Sequence, residues 1–590
     1  MGHHSISKLV FCLLVVFLFS SCSDKIPEKN GFRSLGLYSY DKTSASLSLS
    51  EESSPKYLYY YVTDEAADSG VLSNTGKIPQ SLEVRFSPQP KDADVIVSFL
   101  YSSDFTKGKL SKTLPIRPLA KCTVPAGKST SVRLCFPADR SKVKGFLVYS
   151  EGTVSVDDVA KVDSVIGWHL DEKSAAWSFG PEGGDMDSFV KKNGVQSMNV
   201  DLSSSSLLRS VTDNSVQEYV KIRFRDDPSD VGTNGNQGAS EVVSSGRTFH
   251  IRRSSGPQTE VFYAPYLFFG DGNRRISVNS GAEMVSGIEY EYVSADEGFS
   301  EKGERFPAAI SSDLGCIPTW PSELWQRKDF ELFSWNMFPE ILLFDFADYS
   351  VQDDYLKRLA FYVEKAGYRG KLWADKDIEG LHGYNAHDYR AESLASFYSV
   401  AAAENFELNE REYYLRDILL KYGIIRRGDD GSGFIPGRGG IISISKESTV
   451  ALRTSLLAHE SFHGIYFIDE PFREKVSEVC AVMDQKSLSF LKSYFASQPT
   501  LNYDLDDKYL IENETMAYIM QQSVNAQASY FADNIAWRGS VINSLPELAS
   551  YIRSTKASGL KAAAVMLDEY VFLRWGLNAG RTSMVSVSQN

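Results

Sequence analysis

The chain has 590 residues, several times the roughly 150 of a typical domain, so about three or four folded units are expected. Hydrophobic residues make up 43% and aromatic residues 12% of the sequence, which excludes a disordered chain without cores. The 62 basic and 76 acidic side chains give a net charge of -14, which would repel a phosphate backbone and argues against nucleic acid as a partner.

Residues 1–22 have the pattern of an export signal. One charge, Lys8, precedes an apolar run over 9–19, and small residues lead to Cys22. The run is shorter than the roughly 18 residues that a membrane-spanning helix needs. The ending resembles a bacterial lipobox, although Phe19 stands where that motif usually has leucine. The resemblance implies a lipidated Cys22 and a location in the bacterial cell envelope. An ordinary cleaved signal with a coincidental cysteine is the alternative.

The next part of the chain, up to residue 305, is predicted to be all-β. Short runs of β-branched and aromatic residues recur between clusters of Pro, Gly, Asp and Ser, which is typical of β-sandwiches. We predict a β-sandwich domain over 23–205 and a second β-rich region over 206–305, and the pattern leaves open whether these are one domain or two. The predicted strands are 57–62, 82–86, 95–101, 131–136, 145–149, 219–224, 248–252, 261–269 and 289–293.

Two cysteines of the sandwich region, Cys122 and Cys135, flank a turn signal at 125–127. A hairpin disulfide between them is one prediction, because disulfides form in oxidising compartments. Free buried thiols are the other. The spacing does not match a thiolate metal site, because the sequence has no CxxC pair.

The C-terminal region, 306–590, is predicted to be an α-rich α+β domain. A strand over 338–346 precedes a series of helical patterns. The alternating segment 440–445 is predicted to be an edge strand or plain scaffold, and 383–389 a polar and aromatic loop. The predicted helices are 356–363, 392–405, 410–422, 447–466, 471–497, 508–523, 544–555 and 560–575.

The segment 459–463 reads His-Glu-Ser-Phe-His inside one of these helices. Histidines four residues apart project from one helical face, so His459 and His463 can both bind one zinc ion. Glu460, beside the first histidine, is placed to act on a metal-bound water. The alternative is that both histidines are hydrogen-bonded core residues and that Glu460 is a solvated helix residue.

A catalytic zinc usually has three protein ligands, so a third must come from elsewhere. Three carboxylates compete. Glu514 lies on a downstream predicted helix, Asp469 follows the second histidine by six residues, and Glu478 lies on the next helix. A ligand at Asp469 would require glycine where the chain has Tyr466. We therefore favour Glu514.

The combination of H-E-x-x-H with a downstream Asn-Glu-x-x-Ala-Tyr, at 513–518, resembles the gluzincin branch of the zinc metallopeptidases and the uncharacterised HEXXH lipoproteins of bacteria. The resemblance implies a zincin-like fold for 306–590. It also implies that His459, His463 and Glu514 bind zinc and that Glu460 is the general base. Members of this branch usually add a Tyr or His that stabilises the oxyanion.

The sequence offers Tyr518 and His387 for that oxyanion-stabilising or substrate-binding role without matching either by spacing. Our interpretation is an exported, lipid-anchored zinc metallopeptidase that hydrolyses peptides or proteins by metal-activated water. The alternative is a surface binding or adhesion lipoprotein with a vestigial or structural zinc site, whose function resides in the sandwich domains.

Overall fold

The computed structural model describes four parts of the chain. They are short segments between residues 32 and 62; residues 80–163 except 108, 116–118, 136–142 and 151–153; short segments between 166 and 294; and residues 298–589 except 382, 429–430, 432, 499–500 and 502. The predicted signal and Cys22 lie outside the described residues.

The structure divides into two compact units. The first comprises Met1–Lys191, Ser203–Val216 and Ser286–Tyr292, and the second comprises Lys192–Leu202, Gln217–Val285 and Val293–Asn590. In this division the strands between 217 and 285 belong to the same unit as the helices. The predicted domain boundaries at residues 205 and 305 stay predictions.

Strands dominate the described residues up to 294. The strands up to residue 181 are β1 (Phe32–Ser34), β2 (Tyr38–Asp41), β3 (Ser46–Leu49), β4 (Tyr60–Val62), β5 (Gln80–Phe86), β6 (Ala93–Tyr101), β7 (Phe105–Thr106), β8 (Lys109–Leu110), β9 (Thr113–Pro115), β10 (Leu119–Val124), β11 (Thr130–Cys135), β12 (Val143–Ser150), β13 (Val156–Asp163), β14 (Ile166–Asp171) and β15 (Ala176–Pro181). The later strands are β16 (Lys192–Asn193), β17 (Ser197–Asp201), β18 (Val216–Phe224), β19 (Ala239–Ser244), β20 (Arg247–Arg252), β21 (Val261–Pro265), β22 (Arg275–Ser280), β23 (Val285–Ser294), β24 (Ile310–Ser312), β25 (Phe330–Trp335), β26 (Phe338–Phe346), β27 (His387–Arg390), β28 (Ile425–Arg427), β29 (Phe434–Pro436), β30 (Gly440–Ser445) and β31 (Val585–Gln589).

Two antiparallel three-stranded sheets share the core of the first unit. Their strand orders are β10-β6-β12 and β11-β5-β13. Apolar side chains from both sheets meet in one buried cluster, which includes Val84, Val97, Val132 and Phe146. Burial of one face of each sheet against the other is what the alternating runs in the sequence indicate.

The cysteines of this unit lie on consecutive strands of different sheets. Cys122 is on β10, which pairs with β6, and Cys135 is on β11, which pairs with β5. The side chains of both cysteines lie outside the described residues. The disulfide between them therefore stays a prediction.

An antiparallel six-stranded sheet belongs to the second unit. Its order is β16-β17-β22-β19-β20-β31, so a strand near residue 587 pairs with one near residue 250. Val242, Phe249, Ile276 and Val278 are fully buried on these strands. The C-terminal strand β31 thus joins the helical part of the chain to the β-rich segment that precedes it.

A mixed five-stranded sheet supports the helices of the second unit. Its order is β24-β25-β26-β30-β27, with β24 parallel to β25, β26 parallel to β30, and β27 antiparallel to β30. The prediction of an edge strand at 440–445 is wrong, because β30 has a neighbour on both sides. The edge strand beside β30 is β27, which overlaps the segment 383–389 that the sequence predicts to be a loop.

The α-helices of the described residues all follow β26 in the chain. They are α1 (Tyr349–Val363), α2 (Ala391–Ala403), α3 (Glu410–Lys421), α4 (Val450–Ile468), α5 (Glu470–Val482), α6 (Gln485–Ser497), α7 (Lys508–Met520), α8 (Gly539–Ser544), α9 (Pro546–Ser554) and α10 (Ser558–Trp575). No helix of the described residues is both long and apolar enough to cross a membrane.

The helix α4 carries the H-E-x-x-H motif and is fixed to the sheet at both ends. Thr449 caps it by accepting a hydrogen bond from the Leu452 amide. In its first turn Arg453 forms a buried ion pair with Asp345 of β26, with an Nη1–Oδ1 distance of 2.7 Å. Near its end, a Cβ on Gly464 would lie 3.2 Å from an Ile341 methyl carbon, so glycine permits the close approach to β26.

The order of structure along the chain is therefore β-rich first, with antiparallel sheets, and helical later. The sequence predicts this order, and the structure confirms it. The hydrophobic period changes from two to about 3.6 residues where the chain passes from strands to helices, which is the signal that a single sequence carries best.

Candidate metal centre

The two motif histidines lie on one face of α4. Their rings are nearly perpendicular, with centroids 4.7 Å apart. His459 is 8% exposed and His463 is fully buried. A helix brings side chains four residues apart onto adjacent turns, which accounts for this proximity.

Glu514 of α7 faces both histidines. Its Oε2 lies 3.7 Å from Nε2 of His459, and its Oε1 lies 3.7 Å from Nε2 of His463. One donor atom from each of the three residues falls within 4.8 Å of the others. The structure thus brings together the three residues that the sequence nominates as metal ligands.

Four buried atoms of these three residues have no hydrogen-bond partner within the described part of the chain. They are Nδ1 of His459, both ring nitrogens of His463, and Oε2 of Glu514. A buried polar atom without a partner costs about 1–3 kcal/mol. Of these atoms, Nε2 of His463 and Oε2 of Glu514 lie where the three residues face one another, and a cation bound there would satisfy both.

Burial also keeps the imidazoles neutral. Desolvation lowers the pKa of His459 to about 4, and it lowers the pKa of His463 to about 4 despite the opposing Glu514 carboxylate. A neutral imidazole offers a nitrogen lone pair to a metal, whereas the protonated ring does not. The pair is therefore ready to bind a divalent cation at neutral pH.

Glu460 lies in the same buried pocket. It is 4% exposed, and its Oε2 has no hydrogen-bond partner among the described residues. Burial, together with the nearby Glu514 and Glu364 carboxylates, raises the pKa of Glu460 well above its usual value. A carboxylate whose pKa is raised is a stronger base than a solvated glutamate, which is the property that a general base requires.

The competing third ligands lie elsewhere. Asp469 caps α5 by accepting a hydrogen bond from the Phe472 amide and pairs with Arg574 at 2.7 Å. Glu478 is mostly exposed and pairs with Lys475 at 3.4 Å. These partners give both acids ordinary structural roles.

The two residues nominated for the oxyanion or substrate are separated by the sheet. Tyr518 follows Glu514 by one helical turn, and its ring packs edge-on against His459 with centroids 5.1 Å apart. His387 hydrogen-bonds the Tyr389 hydroxyl at 2.8 Å. His387 and Tyr389 lie on the sheet face opposite α4, because they alternate along β27 with Asp388, which faces α4. The structure places Tyr518, but not His387, beside the histidines.

Sequence reasoning missed two acids of the pocket. Asp388 of β27 lies with Oδ2 3.7 Å from Nδ1 of His463, and Asp388, Glu460 and His463 have donor atoms within 4.8 Å of one another. Glu364 follows the end of α1, is 5% exposed, and is close enough to raise the pKa of Glu460. The sequence His-Asp-Tyr-Arg of β27 has no apolar alternation that would have indicated the orientation of Asp388. No local signal distinguishes Glu364.

The comparisons with known proteins do not assign this chain to a family. No family model and no curated protein matches it. The structure of Red Clover Necrotic Mosaic Virus matches with 10% sequence identity over 42% of this chain and 86% of that chain, at a TM-score of 0.14. The T=1 Penaeus vannamei nodavirus matches with 12% identity over 45% of this chain and 98% of that chain, at a TM-score of 0.10. The N-terminal CBM22-1-CBM22-2 tandem domain of Paenibacillus barcinonensis Xyn10C matches with 10% identity over 45% of this chain and 86% of that chain, at a TM-score of 0.14. TM-scores this low do not indicate a shared fold.

Proposed function

We propose that this chain is an exported zinc metallopeptidase, anchored to the cell envelope through a lipidated Cys22. The observation that carries the enzymatic part of the proposal is the convergence of His459, His463 and Glu514, with both Nε2 atoms 3.7 Å from the Glu514 oxygens. Glu460 lies beside them without a hydrogen-bond partner in the described residues.

The donor set fits zinc and leaves a position open. Two neutral imidazoles and one carboxylate are a common ligand set of catalytic zinc, whereas structural sites usually have four protein ligands. When bound, zinc would supply Lewis acidity toward a peptide carbonyl and a water molecule. The three-residue set therefore favours an enzyme over a binding protein with a structural or vestigial metal site.

Glu460 would move the proton during hydrolysis. Its carboxylate accepts a proton from the attacking water and then delivers it to the amine that leaves when the peptide bond breaks. Burial beside other acids makes this carboxylate more basic than a solvated glutamate. Tyr518 lies close enough to His459 to hold that ring in place.

The mixed sheet supports a zincin-like fold for this region. The short edge strand β27 is antiparallel to β30, and its residue Asp388 faces the motif helix α4. Within the described residues β27 pairs with one strand, and strand addition at its other edge is the way in which we propose that an extended peptide binds. Peptides or proteins are therefore the proposed substrates.

The test combines metal content with hydrolysis. Purified mature protein should contain one zinc per chain and should cleave a quenched-fluorescent peptide library until a chelator is added. Glu460→Gln should retain zinc and lose activity by roughly 10²–10⁴-fold, because the amide cannot accept the proton. Glu512→Gln, a change on the outer part of α7, is the matched control and should leave both unchanged. Full activity in Glu460→Gln, or a zinc-free active enzyme, would refute the proposal.

A further inference from the structure

The edge strand β27 places one acid directly against the motif helix. Alternate residues of β27 face opposite sides of the sheet. Tyr389 and its partner Ile441 pack in the core on the side of α1 and α2. Asp388 and its partner Ile442 therefore face α4, the helix that carries the histidines.

Asp388 and Glu514 lie near different ring nitrogens of His463. Oδ2 of Asp388 lies 3.7 Å from Nδ1 of His463, whereas Nε2 of the same ring faces Glu514. The amide of Asn513 donates a hydrogen bond of 3.5 Å to the same Asp388 oxygen. His463 is thus held between two carboxylates, one for each nitrogen, while Asn513 links Asp388 to the helix that carries Glu514.

We propose that Asp388 is a positioning residue that accepts a hydrogen bond from Nδ1–H of His463 and so directs Nε2 toward the metal. This inference rests on the proposed zinc site. An imidazole has one proton when neutral, so an acceptor at Nδ1 selects the tautomer whose Nε2 lone pair is free to bind metal. The observed 3.7 Å is slightly longer than a hydrogen bond, so the proposal requires Asp388 and Nδ1 to come closer when the metal binds.

A different role for Asp388 would be to bind a second cation together with Glu460 and His463. That arrangement would require Nδ1 of His463 to bind metal while Nε2 binds the first ion, which removes the ring proton altogether. Metal-binding histidines nearly always donate the other ring N–H to an acceptor. The positioning role therefore agrees better with the chemistry of a neutral imidazole.

The experiment measures zinc affinity and the state of the ring separately. Removal of such an acceptor typically weakens metal binding by about 10–100-fold. We expect this loss in Asp388→Ala, measured by competition with a fluorescent chelator, and a smaller loss in Asp388→Asn, whose side-chain oxygen can still accept the bond. Asp377→Asn, a change at an exposed aspartate, is the control and should leave affinity unchanged.

Nitrogen-15 spectra of histidine-labelled, zinc-loaded protein provide the second readout. Wild type should show His463 protonated at Nδ1, and Asp388→Ala should shift that resonance although the protein stays folded. Unchanged affinity and an unchanged spectrum in Asp388→Ala would overturn the positioning role. Two zinc ions per wild-type chain, one of them lost in Asp388→Asn, would overturn it in favour of a second metal site. A wild-type chain that binds no zinc would instead refute the proposed function itself.

Discussion

Replacement of Glu514 by glutamine tests the metal centre most directly. The side chain is 1% exposed, and its two oxygens each face one histidine at 3.7 Å. Glutamine has nearly the same volume and lacks the negative charge, so the packing of α7 should survive while a ligand is lost. Because burial raises the pKa of Glu514, this carboxyl does not stabilise the metal-free fold. Metal-free Glu514→Gln should therefore be at least as stable as metal-free wild type.

The expected loss of affinity follows from the number of ligands. Zinc binds four-ligand structural sites with about 10–16 kcal/mol, or about 2.5–4 kcal/mol per ligand, so loss of one ligand should raise the Kd by about two to three orders of magnitude. At zinc about 1,000-fold above the wild-type Kd, wild type gains about 4 kcal/mol of stability, whereas a variant with a 1,000-fold higher Kd gains about 0.4 kcal/mol. That difference corresponds to roughly 10 °C in Tm for a large domain.

The assay is thermal unfolding with and without zinc, followed by calorimetry at fixed pH. The matched control is Glu512→Gln, two residues earlier on the same helix, where the carboxylate accepts a hydrogen bond from Ser477 at 3.0 Å. We expect the control to keep the full zinc-dependent rise in Tm. The same rise in Glu514→Gln would show that Glu514 is no ligand and would refute the reasoning.

Three other predictions concern pH, packing and the anchor. In metal-free protein the pKa values of His459 and His463 are lowered to about 4, against about 6.5 in the unfolded chain, so they give stability that is present above pH 6.5 and lost as pH falls toward 4. Urea unfolding at pH 6.5 and at pH 5 should therefore show a smaller loss of stability in His463→Gln than in wild type. An equal loss would contradict burial as the cause. Arg453→Met should destabilise the fold by about 3–5 kcal/mol because it leaves the buried Asp345 with only the more distant Lys446, at 4.0 Å, as a cation. Urea unfolding of Arg453→Met combined with Asp345→Asn should recover part of that loss. Cys22→Ala should release the protein from membranes, and the intact mass of wild type should show an added lipid at that residue; an unmodified mature N-terminus elsewhere would contradict the anchor.

The sequence predicts the residues of the candidate metal centre best where they are close in sequence or lie in periodic helices. His459 and His463 are four residues apart, so helical geometry alone brings them together. Glu514 is distant in sequence, and what distinguishes it from other acids is its place in a predicted helix with the motif Asn-Glu-x-x-Ala-Tyr at 513–518. Acids on short or terminal segments, such as Asp388 and Glu364, are brought to the pocket by tertiary packing that no local pattern encodes.

The edge of the mixed sheet likewise depends on tertiary packing that a local sequence pattern does not encode. The segment Gly440–Ser445 is fully buried and pairs on both sides, and alternation in its sequence does not reveal how many neighbours it has. The four residues of β27, His387–Arg390, have no apolar run that would predict a strand. They are extended because the backbone groups of β30 offer them hydrogen-bond partners, which is a property of the neighbouring strand.

The pairing of β31 with β20 has a consequence for the time course of folding. Nε2 of His250 and Oγ of Ser588 lie 3.3 Å apart although 338 residues separate them. The helices α4 and α7, which carry the proposed metal ligands, lie within the loop that this pairing closes. Contacts so distant in sequence form slowly compared with helices and their neighbours. During refolding, zinc capture and closure of the six-stranded sheet should therefore be two kinetic events, with metal uptake preceding the docking of β31.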